Sequence, residues 1–162
     1  MKQVYENILL HEGSHIAGIC KLQIAPREWL SSNIIIDFNT GKIKTAINFI
    51  TGRNWLDIEL TLPSFEFDEK PKSNKSGQYI ELAVAGTINN FTASVQQVIE
   101  TLRYSEFVVL LTDANNNMRL IGDAESGMVL SPDHSVKNAV NEERLQLSFI
   151  MESETTAPIY EV

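Results

Sequence analysis

One stretch, residues 90–122, constrains the fold more than any other: NFTASVQQVIETLRYSEFVVLLTDANNNMRLIG. Phe91, Val95, Val98, Ile99 and Leu102 recur at helical spacing, which predicts a helix over about 91–104 with one apolar face. Thr92, Gln96, Gln97, Glu100 and Arg103 then fall on the water side. Such a helix must lie on something. Residues 107–111, FVVLL, form an unbroken apolar run that reads as a strand covered on both faces, and the helix is its nearest cover. The run 113–117, DANNN, holds residues that tolerate positive φ, so 118–121 should return as the partner strand of a hairpin.

A chain of 162 residues fits a single domain, 1–162, and can bury a core without cross-links. Its 43% hydrophobic and 21% charged residues match a globular protein rather than a disordered one. Thirteen Lys and Arg against twenty-one Asp and Glu give a charge of −8, which repels phosphate backbones and speaks against a nucleic-acid grip. Cys20 is the sole cysteine, so neither an intrachain disulfide nor a thiolate metal cluster is expected. Residues 1–10 lack a signal-peptide core and no long apolar run follows, so the expected location is cytoplasmic, with no membrane contact.

The remaining segments read mostly as strands and turns. Residues 18–25 alternate as a half-exposed strand ended by Pro26, with Cys20 as a small apolar filler rather than a nucleophile. Residues 27–33, with Trp29, suit a turn or short helix, and 34–38 form a second apolar run. Gly41 marks a hairpin into 42–49. From Trp55 the chain alternates through Leu56, Ile58, Leu60 and Leu62, passes Pro63, and continues with Phe65 and Phe67; the return strand is 78–88. Between them, 69–77 (EKPKSNKSG) reads as a protruding hairpin loop. Its Lys70, Lys72 and Lys75 are either a solvated tip or a contact with a neighbouring subunit. Residues 122–127 make a glycine-bounded loop, 128–131 a short strand, 132–144 a polar loop, and 145–152 a strand antiparallel to 128–131. Residues 155–162 remain as a C-terminal tail whose Pro158, Ile159 and Tyr160 can dock on a surface.

His11, Glu12 and His15 spell the H-E-x-x-H pattern of zinc peptidases, in which a helix sets both imidazoles on one face beside a general base. Here Gly13 interrupts that helix, and the position where a third ligand would follow is Lys21. His134 is remote in sequence, and the spacing of Glu28 matches no ligand pattern. Residues 1–15 therefore read as a flexible N-terminal arm, with no metal and no cofactor expected. Roughly seven or eight strands with one convincing helix, grouped in runs, point to a β-rich α+β class: an antiparallel sandwich or barrel with one packed helix.

Set out in this way, the chain resembles a family of prophage-borne structural proteins of the phage tail region. The resemblance is carried by IAGICKLQIAP (16–26), the WLDIELT and F-E-F segments (55–67), FVVLLTDANNNMRLIG (107–122), GMVLS (127–131) and the closing segment 145–160; the family's Asn-Gly turn is Asn115-Asn-Asn117 here. It implies a subunit without a reaction of its own that associates with copies of itself into rings or a tube, and with other tail proteins, ending in a virion where a phage is assembled. Two readings from other classes stand beside it. A peptide- or glycan-binding module would use Trp29, Trp55, Phe65, Phe67, Tyr79, Tyr104 and Phe107 as a stacking platform, although a buried core is the commoner fate of such residues. A zinc hydrolase would use His11, Glu12 and His15.

Overall fold

The computed structural model describes residues 18–37, 39–58, 66–89, 93–137 and 142–162. Their strands are β1 (Ile19–Pro26), β2 (Lys42–Ile43), β3 (Leu56–Ile58), β4 (Glu66–Asn74), β5 (Gly77–Asn89), β6 (Glu106–Asp113), β7 (Met118–Ile121), β8 (Met128–Lys137), β9 (Glu142–Ser153) and β10 (Ile159–Tyr160); the one helix, α1, is Ala93–Leu102. Strand accounts for 53%, which makes the class β-rich α+β as its periodicity predicts. Of the sandwich or barrel expected, the barrel is excluded, because the sheet is not closed. All ten strands belong to one open sheet, antiparallel except where β10 runs parallel to β2.

The organising strand is β6. One of its edges carries β1, with Leu22 opposite Leu111 and Ala25 opposite Val108, and β3 pairs beyond β1. The other edge is shared: Val109 to Thr112 pair with β7, whereas Glu106 and Phe107 pair with β8. Here the sheet divides, one branch continuing β7, β10, β2 and the other β8, β9, β5, β4. The dividing loop is 122–127, and its two glycines are required by close approach. At Gly122, φ is +89° and an added Cβ would lie 3.1 Å from the Ser126 carbonyl oxygen; at Gly127 it would lie 2.9 Å from both the Glu106 Cβ and the Phe107 nitrogen. Asp123 Oδ1 accepts the Glu125 and Ser126 amides at 2.8 and 2.7 Å, and Arg27 pairs with Glu106 at 3.1 Å while donating to the Glu125 carbonyl.

Successive residues of β6 serve opposite faces, so the predicted double cover is present. Phe107, Val109 and Leu111 join Leu22, Ile24, Leu82, Val84, Met128, Leu147 and Phe149 in the main core, where the second branch of the sheet curls over β1 and β6. Phe107 and Phe149 meet edge to face at 6.0 Å, and burying each contributes about 1.5–3 kcal/mol. Val108 and Leu110 join Leu30, Ile43 and Leu120 under Phe49, Trp55 and Tyr160 in a second core. The helix covers the core as predicted at two positions and departs from the pattern at one. Ile99 is buried and Leu102 packs on the main core, but Val98 is 57% exposed. Ile99 and Leu102 thus form the described contact of α1 with the main core. Phe91 lies outside the described residues.

Five further expectations are corrected. The hairpin loop 69–77 is strand: Glu69 to Asn74 belong to β4, Gly77 opens β5, and Lys75 and Ser76 alone form the turn. The segment from Trp55 does not form one arm with 78–88, because β3 pairs with β1 whereas β4 pairs with β5. The loop expected over 132–144 is strand through Lys137 and again from Glu142, in a ladder from Val129 opposite Ile150 to Lys137 opposite Glu142. The C-terminal tail 155–162 is built into the sheet. Ile159 and Tyr160 sit between β2 and β7, the Leu120 amide donates to the Pro158 carbonyl at 3.1 Å, and Glu69 accepts the Ala157 amide at 2.8 Å. The chain does turn at Gly41, with the Asp37 amide on the Lys42 carbonyl at 2.9 Å, but this single bridge replaces the expected hairpin: 34–36 are not strand, and of 42–49 only Lys42 and Ile43 are, paired with β10.

Candidate functional site

The free edge of the second branch is β4. Among the described residues its only partner is β5. The ladder closes on Asn74 opposite Gly77 across a two-residue turn, and Asn74 Oδ1 caps that turn by accepting the Ser76 amide at 2.8 Å. A two-residue turn makes its flanking residues a hydrogen-bonded pair, and such pairs alternate along an antiparallel ladder. Phe67, Glu69, Pro71 and Ser73 therefore occupy the non-bonded pairs, with their backbone groups directed outward. Pro71 is tolerated because an outward nitrogen needs no donor to β5.

The same alternation sorts the side chains. Phe67 and Glu69 are half-buried and turn inward, and the Glu69 carboxylate reaches the Ala157 amide. Glu66, Asp68, Lys70 and Lys72 are exposed on the outer face. Lys70 Nζ lies 2.9 Å from Asp68 and Lys72 Nζ 2.6 Å from Glu81. The hydrogen bond to Asp68, helped by that carboxylate's charge, holds the Lys70 ammonium above its ordinary range; the bond to Glu81 does the same for Lys72. Both pairs are solvent-exposed and contribute little to stability. Of the three predicted contact residues, Lys70 and Lys72 thus lie along one strand edge, and Lys75 is exposed at its tip.

The outer face of this branch also carries an apolar pair with no counterpart in the sequence reading. Val129 lies opposite Ile150, and they are 49% and 40% exposed. The alternation of 128–131 was the available signal, since a strand with Met128 and Leu130 inward must send Val129 outward.

A cleft of about 300 Å³ opens at the far end of β1 and β6, lined by Ile19, Phe67, Leu111, Asp113, Asn117 and Arg119. Its polar groups are committed to structure. Asp113 Oδ1 accepts the Asn115 and Asn117 amides at 2.8 and 2.9 Å, and Oδ2 accepts the Asn117 side-chain amide at 2.9 Å. Burial pushes the Asp113 carboxyl upward, but the hydrogen bonds from Asn117 and Asn115 and the charge of Arg119 outweigh it and leave the group below its ordinary value. Asn116 takes φ +63°, the left-handed geometry that an asparagine-rich turn accommodates. Arg119 donates to the Ala157 carbonyl at 3.0 Å.

Cys20 is not the apolar filler its strand position predicts. It falls at the bulge between Ile19 and Lys21, is exposed, and donates its thiol to the carbonyls of Thr112 and Asp113 at 3.4 and 3.2 Å. Among the described aromatic residues, Phe107 is in the main core, Trp55 packs edge-on to Phe49 at 5.2 Å, Arg53 covers Trp29 at 4.8 Å, and Tyr104 stands 87% exposed. Phe65, His11, Glu12 and His15 lie outside the described residues, as does the N-terminal arm 1–15. Among the described residues no cluster of three or more His, Cys, Asp or Glu could hold a metal ion, and no helix is long and apolar enough to cross a membrane. His134 lies in β8 opposite Leu145, and Glu28 lies in a 3-10 turn, Arg27–Trp29.

The fold thus defines a β-rich α+β protein whose open sheet ends in a long edge hairpin. Comparison of the chain with family models, curated proteins and solved structures finds no match.

Proposed function

We propose that this protein is a non-enzymatic structural subunit of a phage tail or tail-like assembly that associates with copies of itself into rings or a tube. The observation that carries the reading is the β4–β5 hairpin. Its nine-residue outer strand has no partner beyond β5 among the described residues, and β9 ties its inner strand into the core from Ile80 to Asn89. A hairpin anchored in this way presents a preorganised edge, so little ordering entropy opposes a contact made with it. Heterologous contacts of such edges generate closed rings or open tubes according to their rotation. The sequence resemblance to tail-region proteins supplies the kind of assembly.

Sedimentation velocity of the full chain across a wide concentration range, with electron microscopy of the largest species, tests the reading. Rings or tubes that grow with concentration are expected. A monomer throughout, with no ordered particle in the images, overturns it.

A further inference from the structure

Along the outer face of β4 the charged residues follow the order Glu66, Asp68, Lys70, Lys72: two acids, then two bases, on alternate positions of one exposed row. That order is self-complementary when the strand meets a copy of itself running the other way. We propose that β4 is a homotypic pairing edge, through which two copies of this chain join antiparallel about a two-fold axis with Glu69 of one copy opposite Glu69 of the other.

The register follows from two independent constraints. The outward backbone groups belong to Phe67, Glu69, Pro71 and Ser73, so hydrogen-bonded pairs across the new junction must join these residues to one another, and the charged row falls in the non-bonded pairs, where side chains come closest. Within that restriction the charges select one alignment. With Glu69 at the axis, Asp68 faces Lys70 of the second copy and Glu66 faces its Lys72, and the two-fold repeats both contacts. Moving the axis to Lys70 puts Lys70 against Lys70, and moving it to Asp68 puts Asp68 against Asp68. Larger shifts bring acids against acids or bases against bases. In the selected alignment the Glu69 amide and carbonyl bond reciprocally across the axis, and the Phe67 amide donates to the Pro71 carbonyl of the second copy. Pro71 returns no donor, which leaves the Phe67 carbonyl to water at the rim.

Proline and lysine on an edge strand ordinarily prevent such pairing. An edge that only repels needs a single sign of charge. On β4 the acids fill half of the row, and the existing partners of the lysines, the exposed Asp68 at 2.9 Å and the half-buried Glu81 at 2.6 Å, are surface ion pairs that can exchange. The pairing draws on the same β4 edge as the tail reading but with a different symmetry: a two-fold contact closes at a dimer, whereas a ring or tube needs a heterologous one, so rings built from such dimers would use other surfaces.

The test is sedimentation velocity of the full-length chain and two charge variants, each first shown by circular dichroism to be folded. Glu66→Lys/Asp68→Lys makes the row uniformly basic, and Lys70→Glu/Lys72→Glu makes it uniformly acidic. The wild-type chain is expected to dimerise with an affinity that falls as salt rises; each variant alone should dimerise at least about tenfold more weakly, and an equimolar mixture of the two should recover a heterodimer. The quadruple reversal Glu66→Lys/Asp68→Lys/Lys70→Glu/Lys72→Glu restores complementarity and should dimerise as wild type. A wild-type monomer at all concentrations, a variant that associates as wild type does, or a mixture that stays monomeric overturns the proposal. Large species that persist unchanged in both variants sink this contact and leave the tail reading standing. Dimers lost in the variants, with no ring or tube in the wild type, do the reverse.

Discussion

Removing residues 157–162 tests whether the chain's end is a structural strand. Four hydrogen bonds outside the regular ladder go with it: the Leu120 amide to the Pro158 carbonyl at 3.1 Å, Arg119 Nη1 to the Ala157 carbonyl at 3.0 Å, the Ala157 amide to Glu69 at 2.8 Å, and the Glu161 amide to the Ile43 carbonyl at 2.8 Å. At about 1 kcal/mol net for each, the loss is about 4 kcal/mol. Uncovering Ile43, which β10 and Tyr160 help to bury, adds to it. For a chain of this length about 2–4 °C accompanies each kcal/mol, so the thermal midpoint should fall by about 8–16 °C. Differential scanning calorimetry of the shortened and full chains, with urea melts to check that cooperativity survives, measures this directly. A surface tail would cost less than about 0.5 kcal/mol on removal. A midpoint within about 1 °C of the full chain would refute the inserted strand.

Gly127→Ala forces a Cβ to 2.9 Å from the Phe107 nitrogen, a backbone atom that cannot swing aside, and should lower stability by about 1–3 kcal/mol in urea without changing the slope of the transition. Ile99→Ala should cost about 2 kcal/mol, whereas Val98→Lys on the same helix should stay within about 0.5 kcal/mol; equal losses in thermal melts would contradict a helix that buries Ile99 and exposes Val98. Because the folded-state value of Asp113 lies below its ordinary 3.8, the carboxylate stabilises the fold above that pH, and the contribution disappears as pH falls from 3.8 through the folded-state value. Asp113→Asn should thus be less stable than wild type by about 0.5–1.5 kcal/mol at pH 7, with the gap narrowing below pH 3.8; a gap independent of pH in urea melts would discount the charge.

Most of the framework was legible because its signals are local. The FVVLL run of β6, the DANNN turn and the alternation of Leu147 and Phe149 in β9 each depend on a few neighbouring residues, and each took the form those residues predict. The candidate contact lysines were legible as a group but not as a strand edge. Residues 69–74 show little hydrophobic alternation because most of β4 buries neither side chain face, and a strand without a buried face carries no periodic signature.

The sequence by itself determined where strands and turns are favoured, how β6 divides its side chains between two cores, and that the class is β-rich α+β. Local patterning suffices for these, since a side chain's face is set by the pleat and its burial by its chemistry. Only the tertiary structure decided that β3 and β4 serve different partners, that the sheet forks at Gly122 and Gly127, that Ile159 and Tyr160 lie between β2 and β7, and that Val98 of α1 stays exposed. Those outcomes depend on which strands lie beside one another in space. Backbone groups pair across any separation along the chain, and no window of sequence records the partner they find.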